Sequence, residues 1–320
     1  MIRLIPGSYD ELMEAEDISL NERASIQQIK EPLFYFTIIP EKNDENDLNS
    51  ILPVFKWNGL HNEFHQKLMS YCTFNFGNSL IDGVAVSKKI ATALPWSLIL
   101  QIPAILLIII LSIWIAFRRI RFPDSILMKS IDSVLIWIHS IPGFWLATML
   151  LLLFANPDVL HWFPSGFQMI SSDNPFSIWF YYPQYLILPL LCLILPALAY
   201  LVRLIKNGLE ENLQKLFWKR ALSTGLSYKQ ALYIEALPLA LIPLIAWFAG
   251  IFPALISGSL IIEQIFSVPG LGRLMFLSIS MRDWPVVQFL FLLGSALTIL
   301  GFIISDLLLR LVDPRIVKSK

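Results

Sequence analysis

The chain has 320 residues, 56% of them hydrophobic and 15% charged, with 24 basic residues against 24 acidic ones and a mean hydropathy of +0.64. Low charge with long apolar runs excludes an ordinary soluble domain, in which about a quarter of residues are charged, and it excludes disorder, which needs the opposite balance. The even charge balance argues against a nucleic-acid reader, and two cysteines, Cys72 and Cys192, are too few for a disulfide framework or a thiolate metal cluster.

Met1–Ile90 has the composition of a small exported domain or a long loop. Its apolar clusters, Pro32–Pro40 and Ile51–Trp57, fit strands or short helices, and Glu41–Asp47 fits a solvated turn. Five stretches follow that are apolar enough to cross a bilayer, which takes roughly 20 residues. They run over Trp96–Phe117, Ser133–Ala155, Ile178–Val202, Leu237–Ile262 and Trp284–Ser305, and none contains Lys, Arg, Asp or Glu. Pro103, Pro142, Pro189, Pro196, Pro243 and Pro253 interrupt them; neighbouring helices and side chains can satisfy the backbone groups that such breaks release. Nothing reads as an alternating barrel strand, so the expected fold is an all-α membrane protein, a polytopic helical bundle.

Orientation follows from where Lys and Arg collect. The segments after the five spans carry 4, 0, 6, 2 and 4 basic residues in turn, beginning with Arg118, Arg119, Arg121 and Lys129. This alternation puts the first and third loops and the C-terminus in the cytoplasm. The first 95 residues then lie outside, which suits their 13 acidic and 8 basic residues. Long tails translocate poorly without a preceding signal or span, so a helix is expected upstream of Met1, the alternative being that the first span itself drives export of a long N-terminal tail.

The third loop, Asn207–Ala236, is polar enough to leave the bilayer and patterned enough to fold. Leu209, Leu213, Leu216, Phe217 and Ala221 recur at helical spacing, with charges on the other faces. Gly225 suits a left-handed residue closing that helix. Ser227 and Gln230 have the spacing of a capping box that opens a second helix leading into the fourth span. A helix, a tight turn and a helix fit either a connector packed on its own bundle or a docking knob for a soluble partner.

No Gly-x-x-x-x-Gly-Lys-[Ser/Thr] phosphate loop occurs, so any ATP hydrolysis belongs to another subunit. No catalytic constellation emerges. His61 and His65 lack the acid of a zinc-protease pattern, which favours a structural or surface role and no metal. His139 is intramembrane and so a functional candidate, although beside Pro142 it fits a partner to a broken helix better. Glu263 and Asp306 flank spans four and five, where anchoring is the commoner role and lining of the pathway the rarer one. Irregular backbone at Val268-Pro-Gly-Leu-Gly272 is tolerated only inside protein or beside a water cavity; Glu263, Pro269, Gly270 and Gly272 are therefore expected to shape an outer gate.

The run Arg220-Ala221-Leu222-Ser223-Thr224-Gly225-Leu226, followed by Ala236-Leu-Pro-Leu-Ala-Leu-Ile-Pro243, resembles the EAA loop of permease subunits in bacterial ABC importers. Glu263-Gln-Ile-Phe-Ser-Val-Pro-Gly-Leu-Gly-Arg273, Arg282-Asp-Trp-Pro-Val-Val-Gln288 and Asp313-Pro-Arg315 resemble the dipeptide, oligopeptide and nickel subgroup. Phe76-Gly-Asn-Ser79 and Ser140-Ile-Pro-Gly-Phe-Trp145 stand in the expected order upstream. Met1–Gly7 resembles the end of that family's first helix, in line with a missing N-terminal span.

The resemblance implies a type I importer transmembrane domain over 91–315, with coupling loop 207–236 and a cytoplasmic tail over 316–320. It implies an inner-membrane permease for peptides or a related small solute, with no cofactor of its own. Its partners would be two ABC ATPase subunits, a second homologous permease, an extracytoplasmic substrate-binding protein and the lipid bilayer. Arg220–Leu226 would dock the ATPase, with Ala221, Ser223 and Gly225 in the small-residue positions. Arg220 stands where the motif's name has Glu, and Ser223 where it has the second Ala. The rival readings are a secondary transporter, which would need intramembrane acids and an inverted repeat, and a degenerate scaffold that no longer transports.

Overall fold

The computed structural model describes residues 36–39, 54–57, 59–60, 62–73, 75–167, 175–252, 254 and 260–312. The readings of Met1–Gly7, Glu41–Asp47, His61 and Asp313-Pro-Arg315 lie outside the described residues. The chain divides into two compact units, one within Met1–Ser87 and Met281–Pro285, the other within Lys88–Ser280 and Val286–Lys320.

In the first unit, strands β1 (Phe36–Ile39) and β2 (Val54–Trp57) pair antiparallel with Phe36 opposite Trp57. Both fall inside the apolar clusters of the sequence. Helix α1 (Glu63–Cys72) opens at Asn62, whose side-chain oxygen accepts from the His65 N–H at 2.8 Å. This N-cap satisfies one of the donors that a helix start leaves bare. The loop after α1 turns at Gly77 and Gly83, both left-handed, and an Asn78–Ala85 bridge closes it. Inside it, the Ser79 hydroxyl and the Leu80 N–H both donate to the carboxylate of Asp283.

The second unit is helical. Its elements are α2 (Val86–Arg121), α3 (Ile126–Ser140), α4 (Gly143–Phe154), α5 (Ile178–Tyr181), α6 (Gln184–Gln214), α7 (Leu216–Ser223), α8 (Tyr228–Ala249), α9 (Leu260–Ile265), α10 (Leu271–Ser280) and α11 (Trp284–Val312). Helices α2, α6, α8 and α11 are each long and apolar enough to cross a bilayer, and α3 with α4 makes a fifth span if the pair counts as one.

Three spans differ from the sequence reading. Ser133–Ala155 is not straight, because α3 and α4 meet at 108°. Pro142 has no N–H to give and pushes Ile141 into extended backbone, with ψ at 128°. The third span begins at Gln184 instead of Ile178, because Tyr182 leaves helical geometry and Pro183 restarts it. The fourth begins at Tyr228 and its described part reaches Ala249, so the helix that leaves the turn and the span are continuous. Within it, Leu232–Ala236 forms a π turn.

Helix α6 is the most buried spanning helix and α11 the least. Leu186, Leu190, Ile194, Leu198 and Leu201 on α6 join Leu100, Ala104 and Ile108 on α2 in the main core, the stripe that i, i+4 spacing lays on one face. Large apolar side chains such as Phe291, Ile299 and Phe302 stay exposed on α11, as lipid-facing surface requires. Helix α11 approaches α8 through Gly301, where a Cβ would come within 2.5 Å of the Ala249 carbonyl oxygen. Four residues on, the Ser305 hydroxyl donates to the Ile245 carbonyl at 3.0 Å. Small residues at such crossings let backbones approach where no hydrophobic drive exists between helices. Gly301→Val is expected to cost about 1–3 kcal/mol through overpacking, read as a lower melting temperature in detergent. Gly143→Ala, where a Cβ meets nothing within 4 Å, is expected not to lower it.

Candidate functional site

The basic end of the second unit carries a helix–turn–helix built from α7 and the start of α8. The sequence reading ran one helix from Leu209 to Ala221, but the chain breaks it at Lys215, which is extended with ψ at 156°. Asn212 occupies the break. It is buried, its amide donates to the Ala236 carbonyl at 3.1 Å, and its oxygen accepts from the Lys215 ammonium at 3.2 Å. One side chain thus ties the end of α6, the root of α7 and the π turn of α8 together. Asn212 thereby gives the Ala236 carbonyl, at the end of the π turn, a donor from outside its own helix.

Trp218 and Ala221 of α7 are buried with Ile205, Leu209, Leu232 and Ala236 in a second core, and the Trp218 ring meets Tyr228 edge-on at 5.4 Å. Gly225 follows the helix in the left-handed region, with φ at +91°. The expected capping box is present, Ser227 N–H donating to Gln230 Oε1 at 3.1 Å and Gln230 N–H to Ser227 Oγ at 3.4 Å. The residues of Arg220–Leu226 divide by face. Ala221 points into the chain's own core, Leu226 is half-buried against it, and Arg220, Leu222, Ser223, Thr224 and Gly225 are exposed. Leu216, at the root of α7, is 82% exposed. The neighbouring packing of Trp218 and Ala221 fixes the turn that displays it.

Asp132 on α3 binds the same end together. Its carboxylate accepts from Arg119 Nε at 2.7 Å and pairs with Lys206 at 3.3 Å, joining α2, α3 and α6. All three groups are partly buried, so the attraction is less screened than on an open surface.

At the other end of α2 stands a different arrangement. Glu263, on α9, is completely buried. Its Oε1 accepts from the Ser97 hydroxyl of α2 at 2.8 Å, and its Oε2 accepts from the Arg273 N–H at 3.0 Å. Ser97 Oγ in turn accepts from the Leu271 N–H at 2.8 Å. These N–H groups belong to the first turn of α10, so the carboxylate caps that helix from a different helix, where negative charge is favoured. The Glu263 carbonyl accepts from Val268 N–H, and the Arg273 guanidinium donates to the Ser267 carbonyl, both at 2.8 Å. Ser267 is left-handed, with φ at 55°.

The glycines of this loop are determined by contact. A Cβ on Gly270 would lie 2.5 Å from both Glu263 Oε2 and Ser97 Oγ, and one on Gly272 would lie 2.5 Å from the Leu260 Cα. Glu263, Gly270 and Gly272 therefore meet in one knot, while Pro269 is exposed above it. Ser97 to Arg118 is 21 residues of α2, about 31 Å at the helical rise; the hydrocarbon core is about 30 Å thick. The knot and the basic end thus lie a membrane's thickness apart.

Other sequence candidates fall outside both arrangements. The His139 ring stacks on Tyr200 at 6.4 Å, beside the bend at Pro142, and Asp306 is exposed on α11. Among the described residues, no three His, Cys, Asp or Glu side chains group as a metal site. Ser97, Asn212 and Asp132 escaped sequence reading, since none carries a motif and each acts across a long stretch of chain.

Residues 97–318 match the family described as "Binding-protein-dependent transport system inner membrane component". The chain is similar to the peptidoglycan transport system permease protein YejB of Agrobacterium fabrum, 32% identical over 257 residues, which cover 79% of this chain and 71% of that one. It is 31% identical to the oligopeptide transport system permease protein AppB of Bacillus subtilis over 243 residues, 76% of each chain. Among solved structures, an amino acid ABC transporter with histidines matches at 17% identity and a TM-score of 0.48, over 70% of this chain and 94% of that one.

Glu263→Gln leaves one oxygen to serve two donors, and its amide faces the first turn of α10. The expected cost is about 1–3 kcal/mol, seen as a lower melting temperature and faster hydrogen exchange at Leu271 and Arg273. Unchanged exchange at those two amides would show that the carboxylate does not hold the loop.

Proposed function

Because the chain belongs to the family of binding-protein-dependent transport system inner membrane components, we propose that it forms half of the pathway through which an ABC importer passes peptides or a related small solute. As a member it is an importer permease, a multi-pass inner-membrane protein that works with ATPase and substrate-binding partners. The peptide assignment rests on relatives named for peptide transport. In our reading two ATPases dock at the basic end, which faces the cytoplasm together with the C-terminus. A second, homologous permease completes the pathway, a substrate-binding protein delivers cargo from outside, and Met1–Ile90 lies on that outer side. Hydrolysis takes place in the ATPases, and this chain performs no chemistry.

The observation that carries the docking reading is the division of faces in the helix–turn–helix. Trp218 and Ala221 root it in the core, whereas Leu216, Leu222 and Ser223 are presented outward. A groove on an ATPase would bury Leu216 as an apolar anchor. Closure of the two ATPases would then move α7, and Asn212 would pass the displacement to α6 and α8 at once. At the far end, the loop over Glu263, Pro269, Gly270 and Gly272 is proposed as the outer gate.

Family membership replaces the secondary-transporter reading, and a degenerate scaffold is left as the alternative outcome of the test. Leu216→Asp changes only an exposed side chain, so membrane abundance should hold. Co-purification of the ATPase and uptake of a labelled peptide should fall roughly thirtyfold, about 2 kcal/mol for one interface anchor. Gly225→Asp should act in the same direction by straining the turn. Undiminished co-purification in both variants would sink the docking assignment, and no uptake even by the unaltered chain would favour the scaffold. For the gate, Gly270→Val combined with Gly272→Val should abolish uptake while the ATPase still co-purifies.

A further inference from the structure

Where the basic end of α2 meets the start of α8, a groove of about 550 Å³ opens. Three cations stand around it, Arg118 and Arg121 from α2 and Lys229 from α8. None of the three forms an ion pair with a described carboxylate, whereas Arg119 between them is held by Asp132. Arg118 and Arg121 are three residues apart and so share one face. The remaining wall is apolar and open. Ile110 is 61% and Trp114 49% exposed, Arg118 lies over the Trp114 ring at 4.9 Å, and Tyr233 closes the α8 side.

Three uncompensated positive charges repel one another and call for an anion. The apolar wall narrows the choice. Ile110 lies eight residues before Arg118, about 12 Å along the helix, so a ligand that covers both reaches from the headgroup level into the hydrocarbon. A free anion would leave the wall bare, and a soluble acidic segment does not enter to that depth. Basic pockets between spanning helices at the cytoplasmic side are where anionic headgroups bind, and a Trp at that level is an interfacial anchor.

We propose that this groove binds one anionic phospholipid of the surrounding bilayer, its phosphate between Arg118, Arg121 and Lys229 and an acyl chain along Ile110 and Trp114. The site is independent of the cargo, and its place on the cytoplasmic side rests on the orientation proposed above. It bridges α2 and α8 beside the π turn, because Tyr233 belongs to both groove and turn. The lipid therefore braces α8 against α2 where the helix–turn–helix joins its span.

The test uses the full chain in its native complex, reconstituted in nanodiscs of phosphatidylcholine with a minor share of phosphatidylglycerol. Native mass spectrometry after detergent release should find one phosphatidylglycerol retained on this chain. Each cation neutralised to Gln should weaken retention roughly fivefold, and Arg118→Gln, Arg121→Gln and Lys229→Gln together about a hundredfold. Lys129→Gln, whose partner is the exposed Asp124, should leave retention intact. Trp114→Ala, which keeps all three charges, should also weaken it. A melting temperature in lipid-free detergent within error of the unaltered chain's certifies that each variant is folded, since no bound lipid contributes there. Equal retention of phosphatidylcholine, loss of the lipid to millimolar inorganic phosphate alone, or a photo-crosslinker at position 114 that captures a protein chain instead of lipid would each overturn the proposal.

Discussion

Inside a bilayer no water is at hand for a bare N–H, and the carboxylate of Glu263 takes water's place for the loop that joins α9 to α10. Its two oxygens, with the Ser97 hydroxyl, collect the donors of one helix start and bind them to the beginning of α2. The glycines of the loop follow from that contact, since the space a Cβ would need at Gly270 is already filled by the acceptors themselves. The loop is irregular, and these bonds give its backbone partners, the condition on which non-helical backbone persists at membrane depth, while Gln264 Oε1 and Arg273 Nε at its two ends are buried without one among the described residues. An acid fully buried among apolar helices is costly unless its lone pairs are used. Here the cost is offset by ordering a segment that has no regular secondary structure to hold it.

The opposite end of the same helix is organised by different means. Asp132 gathers Arg119 and Lys206, and Asn212 gathers the root of α7 and the π turn of α8. Both are polar side chains working between helices, where apolar packing alone would allow sliding. Ends fixed by hydrogen bonds and a middle fixed by close packing give helices that move as bodies. A permease that rocks between two arrangements needs that behaviour, because a partner can shift the balance only through contacts that differ between the states.

What the sequence made legible was local. Uncharged runs marked the spans because charge in hydrocarbon is expensive. Gly225 and the Ser227–Gln230 box marked the turn because caps act over three or four residues. The bend at Pro142 was half legible, in that the proline predicted a weak point but not an angle of 108°. The break at Lys215 was invisible, since no glycine or proline stands there and the cause is an amide reaching Ala236, 24 residues on. The pairing of Glu263 with Ser97 spans 166 residues, and Ser79 meets Asp283 across 204. In the last case both motifs were noticed and their contact was not, because spacing along a chain carries no information about which loops meet.

The π turn at Leu232–Ala236 also unsettles the usual way of drawing such a chain. A π turn holds more than four residues where an α turn holds 3.6, so the helix leaves it out of phase with the way it entered. Leu232, Ala236 and Ala240 lie buried along this stretch. A helical wheel begun at Tyr228 therefore assigns the wrong side of the helix to much of what lies beyond Ala236. Deleting one residue there would do more than shorten the span. It would restore the phase, swing the downstream face around the axis by about 100°, and turn toward lipid the side chains that now meet α11.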